Sequence, residues 1–246
     1  MRRFLISREN ITDDIVLIRG QEARHIGRTL RLKPGECLHL FDRDGGWYEG
    51  RILEISRESV SVRVVVRHEA DHENGSGISL CLGITKGKLM DYTVQKCTEL
   101  GVERIIPFMS SRCIPRWASE KALQKGRHWQ AVAEAAVKQS GVRQVPTVEP
   151  VIDFTALMQR SFAGCLKVFL WELEHGVTLK TVLDGSVPDG GIVIVVGPEG
   201  GFSEAEAQAA RAGGFTVAGL GRLILRAETV PVAVSAIIRY AQGDLG

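Results

Sequence analysis

No apolar stretch of this 246-residue chain is long enough to cross a bilayer; Ile192–Val196 and residues 230–238 are the longest, well short of the roughly 20 that a membrane helix needs. No targeting segment is expected either, because Met1-Arg2-Arg3-Phe4-Leu5-Ile6-Ser7 returns to charge at Arg8 and Glu9. Cysteine is scarce and unpatterned. Cys37, Cys81, Cys97, Cys113 and Cys165 are odd in number, lie far apart and form no C-x-x-C pair. That excludes a disulfide framework and a zinc ribbon, and points to reduced thiols in a cytoplasmic protein. Internal repeats and low-complexity tracts are absent as well. With 44% hydrophobic and 24% charged residues, disorder and collagen-like repetition drop out.

Net charge is nearly absent, at +2, and so predicts no strong overall field toward a polyanion. Counted by segment, the balance breaks. Residues 1–73 hold 13 basic and 13 acidic side chains, 74–143 hold 11 and 5, and 144–246 hold 7 and 11, leaving 0, +6 and −4. A positive middle beside a negative end is the asymmetry expected when one face meets a polyanion and another does not; a solvated helix face is the alternative.

What is present begins with strands. Residues 15–18, 37–41, 47–55 and 60–66 are β-prone, the last alternating Val60, Val62 and Val64 against Ser61 and Arg63. Asp44-Gly45-Gly46 signals a hairpin, and a helix over 22–30 is closed by Lys33-Pro34-Gly35. Together these predict a small β-barrel. The stretch 69–77 has no hydrophobic periodicity and ends in flexible residues, so it divides the chain into domains 1–73 and 74–246. Beyond it, apolar strands at 78–84, 104–109, 167–171, 192–196 and 216–220 alternate with helices at 89–100, 119–140, 203–212 and 230–241. The first helix places Met90, Val94, Cys97 and Gly101 on one face; the second is expected to bury Trp129, Val132, Ala133, Ala136, Val137 and Ser140. This alternation predicts an α/β domain with a parallel sheet covered on both faces.

His68-Glu69-Ala70-Asp71-His72 matches the zinc pattern H-E-x-x-H, which needs both histidines on one long helix. Strand before and glycine after leave no room for one, so no metal is expected. More informative is strand 192–196 running into Gly197-Pro198-Glu199-Gly200-Gly201 and then a helix, the place where open α/β sheets bind ligands. Glycines there are expected to let backbone amides approach a ligand. Glu199, Glu204 and Glu206 crowd the helix start and would repel a pyrophosphate, so the ligand is not phosphate-led. Ser203 and Glu206 form a capping box; Glu199 is left open. A second loop, Gly219-Leu220-Gly221-Arg222-Leu223-Ile224-Leu225-Arg226-Ala227-Glu228-Thr229, joins another apolar strand to a helix. Thr229 is expected to cap it, with Pro231 in the first turn, leaving Arg226 and Glu228 with no packing reason to be there; a surface ion pair is the structural alternative.

Two glycine loops after strands of one sheet, with an arginine, resemble the trefoil-knot (SPOUT) methyltransferases. The closer resemblance is to the bacterial 16S ribosomal RNA uridine N3-methyltransferase family. It rests on Gly197-Pro198-Glu199-Gly200-Gly201 and Leu225-Arg226-Ala227-Glu228-Thr229, with Lys96-Cys97-Thr98-Glu99-Leu100-Gly101-Val102, Ala135-Ala136-Val137-Lys138-Gln139-Ser140-Gly141 and His25-Ile26-Gly27-Arg28-Thr29-Leu30-Arg31 upstream. These cover nearly the whole chain in order. Departures fall at Ala227, where the family more often has Thr, at Lys138, where it has an acid, and after Gly141, where it has Arg directly and this chain has Val142 then Arg143.

The resemblance implies a PUA-like β-barrel for RNA docking, then a knotted α/β domain that forms a homodimer and binds S-adenosylmethionine. Its cofactor loops map to Leu170, Trp171 and Glu172, to Gly197, Pro198, Glu199, Gly200 and Gly201, and to Leu220, Gly221, Ile224 and Leu225. A phosphate-free cation of this kind suits a glycine loop fringed by glutamates. Arg226 would stabilise charge on the uracil carbonyls and Glu228 would accept the N3 proton or orient Arg226. RNA docking falls to Arg24, Arg28, Arg31 and Lys33, to Lys86, Lys88 and Arg112, and to Gln139. His25 reads as packed or capping, and Lys138 as paired with Glu134 four residues earlier. The RNA partner is free 16S RNA or the assembled small subunit. Two other readings stay open: methylation of a ribose 2′-hydroxyl or another base, and a non-catalytic RNA-binding assembly protein.

Overall fold

The computed structural model describes residues 3–43, 45–68, 77–114, 117–140, 142, 144–185, 188 and 190–245. It divides into two compact units: Met1–His72 with Val137–Val145, and Glu73–Ala136 with Pro146–Gly246. Residues 69–76, which hold all but one residue of the expected boundary and most of the H-E-x-x-H pattern, lie outside the described residues, as do Asp44, Gly141 and Arg143.

In the first unit six strands, β1 (Arg3–Leu5), β2 (Ile11–Thr12), β3 (Ile15–Arg19), β4 (Cys37–Phe41), β5 (Trp47–Ile55) and β6 (Ser59–His68), make one sheet in the order β1-β4-β5-β6-β3-β2. Period-two burial in β6 hides Val60, Val62 and Val64 and turns Arg63 outward, as its sequence requires. Register shifts at Glu49/Gly50 and Ile52/Glu54 bend β5. Gly50 sits at one of these bends, where a Cβ would come within 2.4 Å of the Val62 side chain. The sheet curls around one core built from Phe4, Val16, Ile18, Leu38, Leu40, Ile52, Val60 and Val62, all but hidden from water. Its end strands β1 and β2 do not pair with each other, so the curl is open rather than a closed barrel.

The expected helix at 22–30 is two pieces, α1 (Gly20–Arg24) and a π-helical turn over His25–Thr29, which together bury Ala23 and Ile26. Around the expected hairpin, whose Asp44 lies outside the described residues, Asp42 donates its amide to the Gly46 carbonyl at 2.9 Å and accepts from the Tyr48 hydroxyl at 2.7 Å. Burial, then the Asp42 bond, pushes the Tyr48 phenol up to about 12. Residues 137–145 join this unit through Val137 and Val145, which pack on Phe41. The continuous helical pattern of 119–140 gave no sign of that change of unit. Val132 and Ser140, expected to be buried, are half-buried.

The second unit holds β7 (Ile78–Gly83), α2 (Leu89–Glu99), β8 (Arg104–Met109), most of α3 (Ser119–Gln139), β9 (Thr147–Val148), β10 (Ile152–Asp153), α4 (Phe154–Gln159), β11 (Leu166–Leu170), α5 (Leu179–Leu183), β12 (Ile192–Val196), α6 (Glu204–Ala212), β13 (Thr216–Ala218) and α7 (Thr229–Ala241). Every ladder in it is parallel, in the order β10-β8-β7-β12-β11-β13, with β9 beside β8. All five residues of β12 are buried. Alternate residues supply two cores: Ile192, Ile194 and Val196 pack with α2, α3 and α7, while Val193 and Val195 pack with α4 and α6. Each such side chain removed from water contributes roughly 1.5–3 kcal/mol, which is why an all-apolar strand settles at the centre. Cys81 and Cys97 lie in these cores, where desolvation raises both thiols, Cys97 to about 12, and leaves them unreactive near neutral pH. Among the described residues no helix is long and apolar enough to cross a membrane, and no group of three His, Cys, Asp or Glu is arranged to hold a metal.

Candidate active site

Because β12, β11 and β13 are parallel neighbours, the loops leaving their carboxyl ends emerge side by side. These are the three loops that carry the expected cofactor residues. The loop after β11 and the segment after β13 are tied together by backbone bonds: Trp171 donates to the Ala218 carbonyl at 3.0 Å, Gly219 to Val177 at 2.9 Å, and Leu179 to Gly219 at 2.9 Å. The passage is tight. A Cβ at Gly219 would stand 2.2 Å from the Glu174 carbonyl oxygen, so only glycine lets the chain through.

Leu170 and Trp171 point away from one another into the two cores, at 6% and 9% exposure. Their side chains are committed to packing, and the Trp171 carbonyl accepts from the Glu174 amide at 3.2 Å. Trp171 also donates its ring N–H to the Phe202 carbonyl at 3.4 Å, linking this loop to the glycine loop. Glu172 is exposed and touches Gly201, where φ is +64° and a Cβ would collide with the carboxylate at 2.3 Å.

Two glycines of 197–201 are required by the packing of the chain itself. At Gly201 the space is filled by Glu172, and at Gly197 by the Phe202 ring, 3.0 Å from a Cβ. Gly221 is different: φ is +98° and nothing lies within 4 Å of its Cβ position, so the last of the three loops presents bare, open backbone.

Glu199, outside the capping box and expected in the cofactor loop, accepts a hydrogen bond from the Lys86 amide at 2.8 Å. Arg112, expected on RNA, donates to the Gly200 carbonyl at 3.1 Å while remaining exposed. The capping box forms as expected: Ser203 accepts from the Glu206 amide at 3.2 Å and donates its own amide to the Glu206 carboxylate at 2.9 Å. The Ser111 amide adds a further bond to Glu206 at 2.9 Å. Burial alone would raise this carboxyl, but the Ser203 and Ser111 donors outweigh it and hold Glu206 below the ordinary range.

Thr229 does not cap α7. It is the first helical residue, and Glu228 at the cap makes no side-chain bond. Pro231, at the third helical position, has no N–H to offer the cap. Instead the Arg226 carbonyl accepts from the Thr229 and Val230 amides at 2.8 and 3.1 Å. This holds the Arg226 backbone while its side chain stays 86% exposed, 3.9 Å from the half-buried Glu228 carboxylate. Ile224, beside it, is 89% exposed.

Sequence reasoning missed Glu174 and Arg211. Glu174 accepts from the Gly176 and Val177 amides at 2.9 and 3.3 Å and from Arg211 at 2.8 Å, and the two amides first, then Arg211, hold its carboxyl low. Arg211 also lies over the Trp171 ring, 5.8 Å from its centroid. A lone Glu in a loop and an Arg on a helix carry no local sign of such a partnership.

Of the expected RNA contacts, Arg24, Arg28, Arg31, Lys33 and Gln139 belong to the first unit and Lys86, Lys88 and Arg112 to the second; all are exposed. His25 is exposed rather than packed, its ring 6.3 Å from Phe4. Lys138 pairs with Glu22, not Glu134.

Residues 72–239 match the family model described as an RNA methyltransferase domain, and residues 18–65 that of an RNA methyltransferase PUA domain. The chain is 31% identical over 227 residues to ribosomal RNA small subunit methyltransferase E of Bacillus subtilis, covering 91% of this chain and 89% of that protein. To the Rickettsia conorii protein of the same name it is 27% identical over 241 residues, covering 97% and 94%. The crystal structure of ribosomal RNA small subunit methyltransferase E from Neisseria gonorrhoeae, bound to S-adenosyl methionine, superposes with a TM-score of 0.86 at 32% identity, over 98% of this chain and 97% of that one. The curled sheet is thus the PUA part and the parallel sheet the RNA methyltransferase part. The chain belongs to the ribosomal RNA small subunit methyltransferase E family of RNA methyltransferases.

Proposed function

We propose that this protein methylates uracil N3 in 16S ribosomal RNA, using S-adenosylmethionine, in the cytoplasm. The observation that carries the reading is the junction of three loops at the ends of β11, β12 and β13, rich in backbone groups and fringed by Glu172 and Glu199. That donor set fits the cofactor. Backbone at Leu170, Trp171, Gly197, Pro198, Gly200, Gly201, Leu220, Gly221, Ile224 and Leu225 would hold its adenosine and amino-acid parts, and the carboxylates suit a cation that lacks phosphate. Once bound, S-adenosylmethionine supplies the methyl group.

The chain's own task is to align the base and manage its proton. Fixing the base against the donor removes several kcal/mol of the barrier. Glu228, half-buried, takes the N3 proton; Arg226 donates to the carbonyl oxygens onto which the negative charge spreads. Since the N3 edge is hidden in paired or stacked RNA, the base is turned out into the site. Arg24, Arg28, Arg31, Lys33, Gln139, Lys86, Lys88 and Arg112 hold the backbone. A homodimer is part of this reading: Leu223 and Ile224, 76% and 89% exposed, stand in the loop of Arg226 and suit cover by a second copy.

Transfer of labelled methyl groups to unmodified small subunits and to free 16S RNA, followed by nucleoside analysis, tests the proposal. Label in 3-methyluridine, with a matching reverse-transcriptase stop, is expected. Label on a ribose, which lets the transcriptase pass, would replace the base assignment; no transfer and no cofactor binding would leave an RNA-binding protein.

A further inference from the structure

On the first unit, pairing of β3 with β6 sets Arg19 opposite Ser59. Ser59 closes the turn between β5 and β6. In that turn the Ser56 hydroxyl accepts from the Glu58 and Ser59 amides at 3.3 and 3.0 Å, and the Ser56 amide donates to the Ser59 carbonyl at 2.8 Å. Arg57 is thereby held at the tip of a braced turn, beside Arg19. Arg19 directly precedes α1, whose far end carries Arg24, and Arg28 follows on the π-helical turn. The result is an open cleft of about 800 Å³ lined by Arg19, Arg24, Arg28 and Arg57, with Glu58 as the one carboxylate on its wall among the described residues.

All four arginines are exposed, and among the described residues none of them forms an ion pair with a carboxylate. Of the four, only the Arg24 side chain has a hydrogen bond among the described residues, a long one of 3.4 Å to the Gly20 carbonyl. Four like charges gathered around one cleft repel each other unless an anion enters. Arg24 and Arg28 also border a second cleft, of about 490 Å³, that holds His25 and the Lys138–Glu22 pair. They therefore form a ridge with a basic hollow on either side.

We infer that the Arg19–Arg57 cleft is a binding site for backbone phosphate of the RNA, which crosses the Arg24–Arg28 ridge. The inference deepens the proposed function and rests on it. Guanidinium forks match phosphate oxygens bidentately, and no base-reading aromatic lines the cleft, so the contact fixes the RNA's position without selecting sequence. Arg31 and Lys33, nearby in sequence, do not line it. Arg19 and Arg57 are the two members that sequence spacing alone did not group with Arg24 and Arg28.

The test is binding of a fluorescein-labelled helical fragment of 16S RNA to the full chain across a salt series. Wild type is compared with the double variants Arg19→Ala/Arg57→Ala and Arg19→Lys/Arg57→Lys. Loss of one to two phosphate contacts is expected to lower the slope of log K against log salt by about 0.9 for each contact, and the Lys variant to keep most of it. Thermal unfolding and S-adenosylmethionine calorimetry should be unchanged in both. An unchanged slope in the Ala variant overturns the cleft, and so does competition by polyglutamate as effective as that by RNA of equal charge. The two readings fail separately: a wild-type chain that transfers no methyl group to RNA sinks the proposed function, whereas active wild type with an unaltered Ala slope sinks only the cleft.

Discussion

The Glu199 carboxylate accepts a hydrogen bond from the backbone amide of Lys86, 2.8 Å away, joining the glycine loop after β12 to the loop after β7. Glu199 thus anchors the site as well as lending it charge. Glu199→Ala is expected to weaken S-adenosylmethionine roughly tenfold, about one hydrogen bond to a charged group, whereas Glu199→Gln keeps an acceptor and should stay within about threefold. Isothermal calorimetry decides; equal losses in both variants would make charge, not anchoring, the role.

Arg226→Ala should lower single-turnover methylation by about 10²–10³, the scale for one donor aimed at developing negative charge. Cofactor affinity should hold, because the backbone at 226, not the side chain, secures the first turn of α7. Wild-type single-turnover rates in this variant would remove Arg226 from the mechanism.

Glu174→Ala removes the acceptor shared by the Gly176 and Val177 amides and Arg211. The loop that grips Gly219 should loosen, with cofactor binding roughly tenfold weaker, and faster hydrogen exchange at 176–179 and 219. Unaltered exchange there would show that packing alone holds the loop.

Glu206 is held below the ordinary carboxylate range, so its favourable contribution is present above the unfolded value, near 4.3, and is lost as pH falls through the folded one. Denaturant unfolding of Glu206→Gln should show a deficit of about 1–3 kcal/mol at pH 7 that shrinks from pH 5 to pH 3. A deficit constant over that window contradicts the linkage.

Arg31 carries φ of +53°, a conformation that favours glycine. Arg31→Gly should raise unfolding stability by about 1 kcal/mol while weakening RNA binding and lowering its salt slope by about 0.9. Stability and RNA affinity moving together would show that Arg31 acts through the fold.

Much of the architecture was legible because burial imposes its period on sequence. Val60, Val62 and Val64 alternate because one face of β6 is wet, and Ile192–Val196 is apolar throughout because both faces of β12 are dry. The short elements β1, β9, β10, α4 and α5 carried too few residues for a period to show. Thr229 misled because a cap motif is judged locally, while the helix begins one residue earlier, with Glu228 at the cap.

By itself the sequence determined the two kinds of domain, the three loops at strand ends and the order of motifs that marks the family, since each depends on neighbours along the chain. Only the tertiary structure decided that Glu199 answers Lys86, that Glu174 pairs with Arg211, that Lys138 turns to Glu22, and that Arg57 joins Arg19. Hydrogen bonds and ion pairs act over a few ångströms of space, and residues far apart in sequence acquire that proximity only once strands have paired. The near-zero net charge shows the same division: composition reports a sum, and folding decides which charges are paired and which line a cleft.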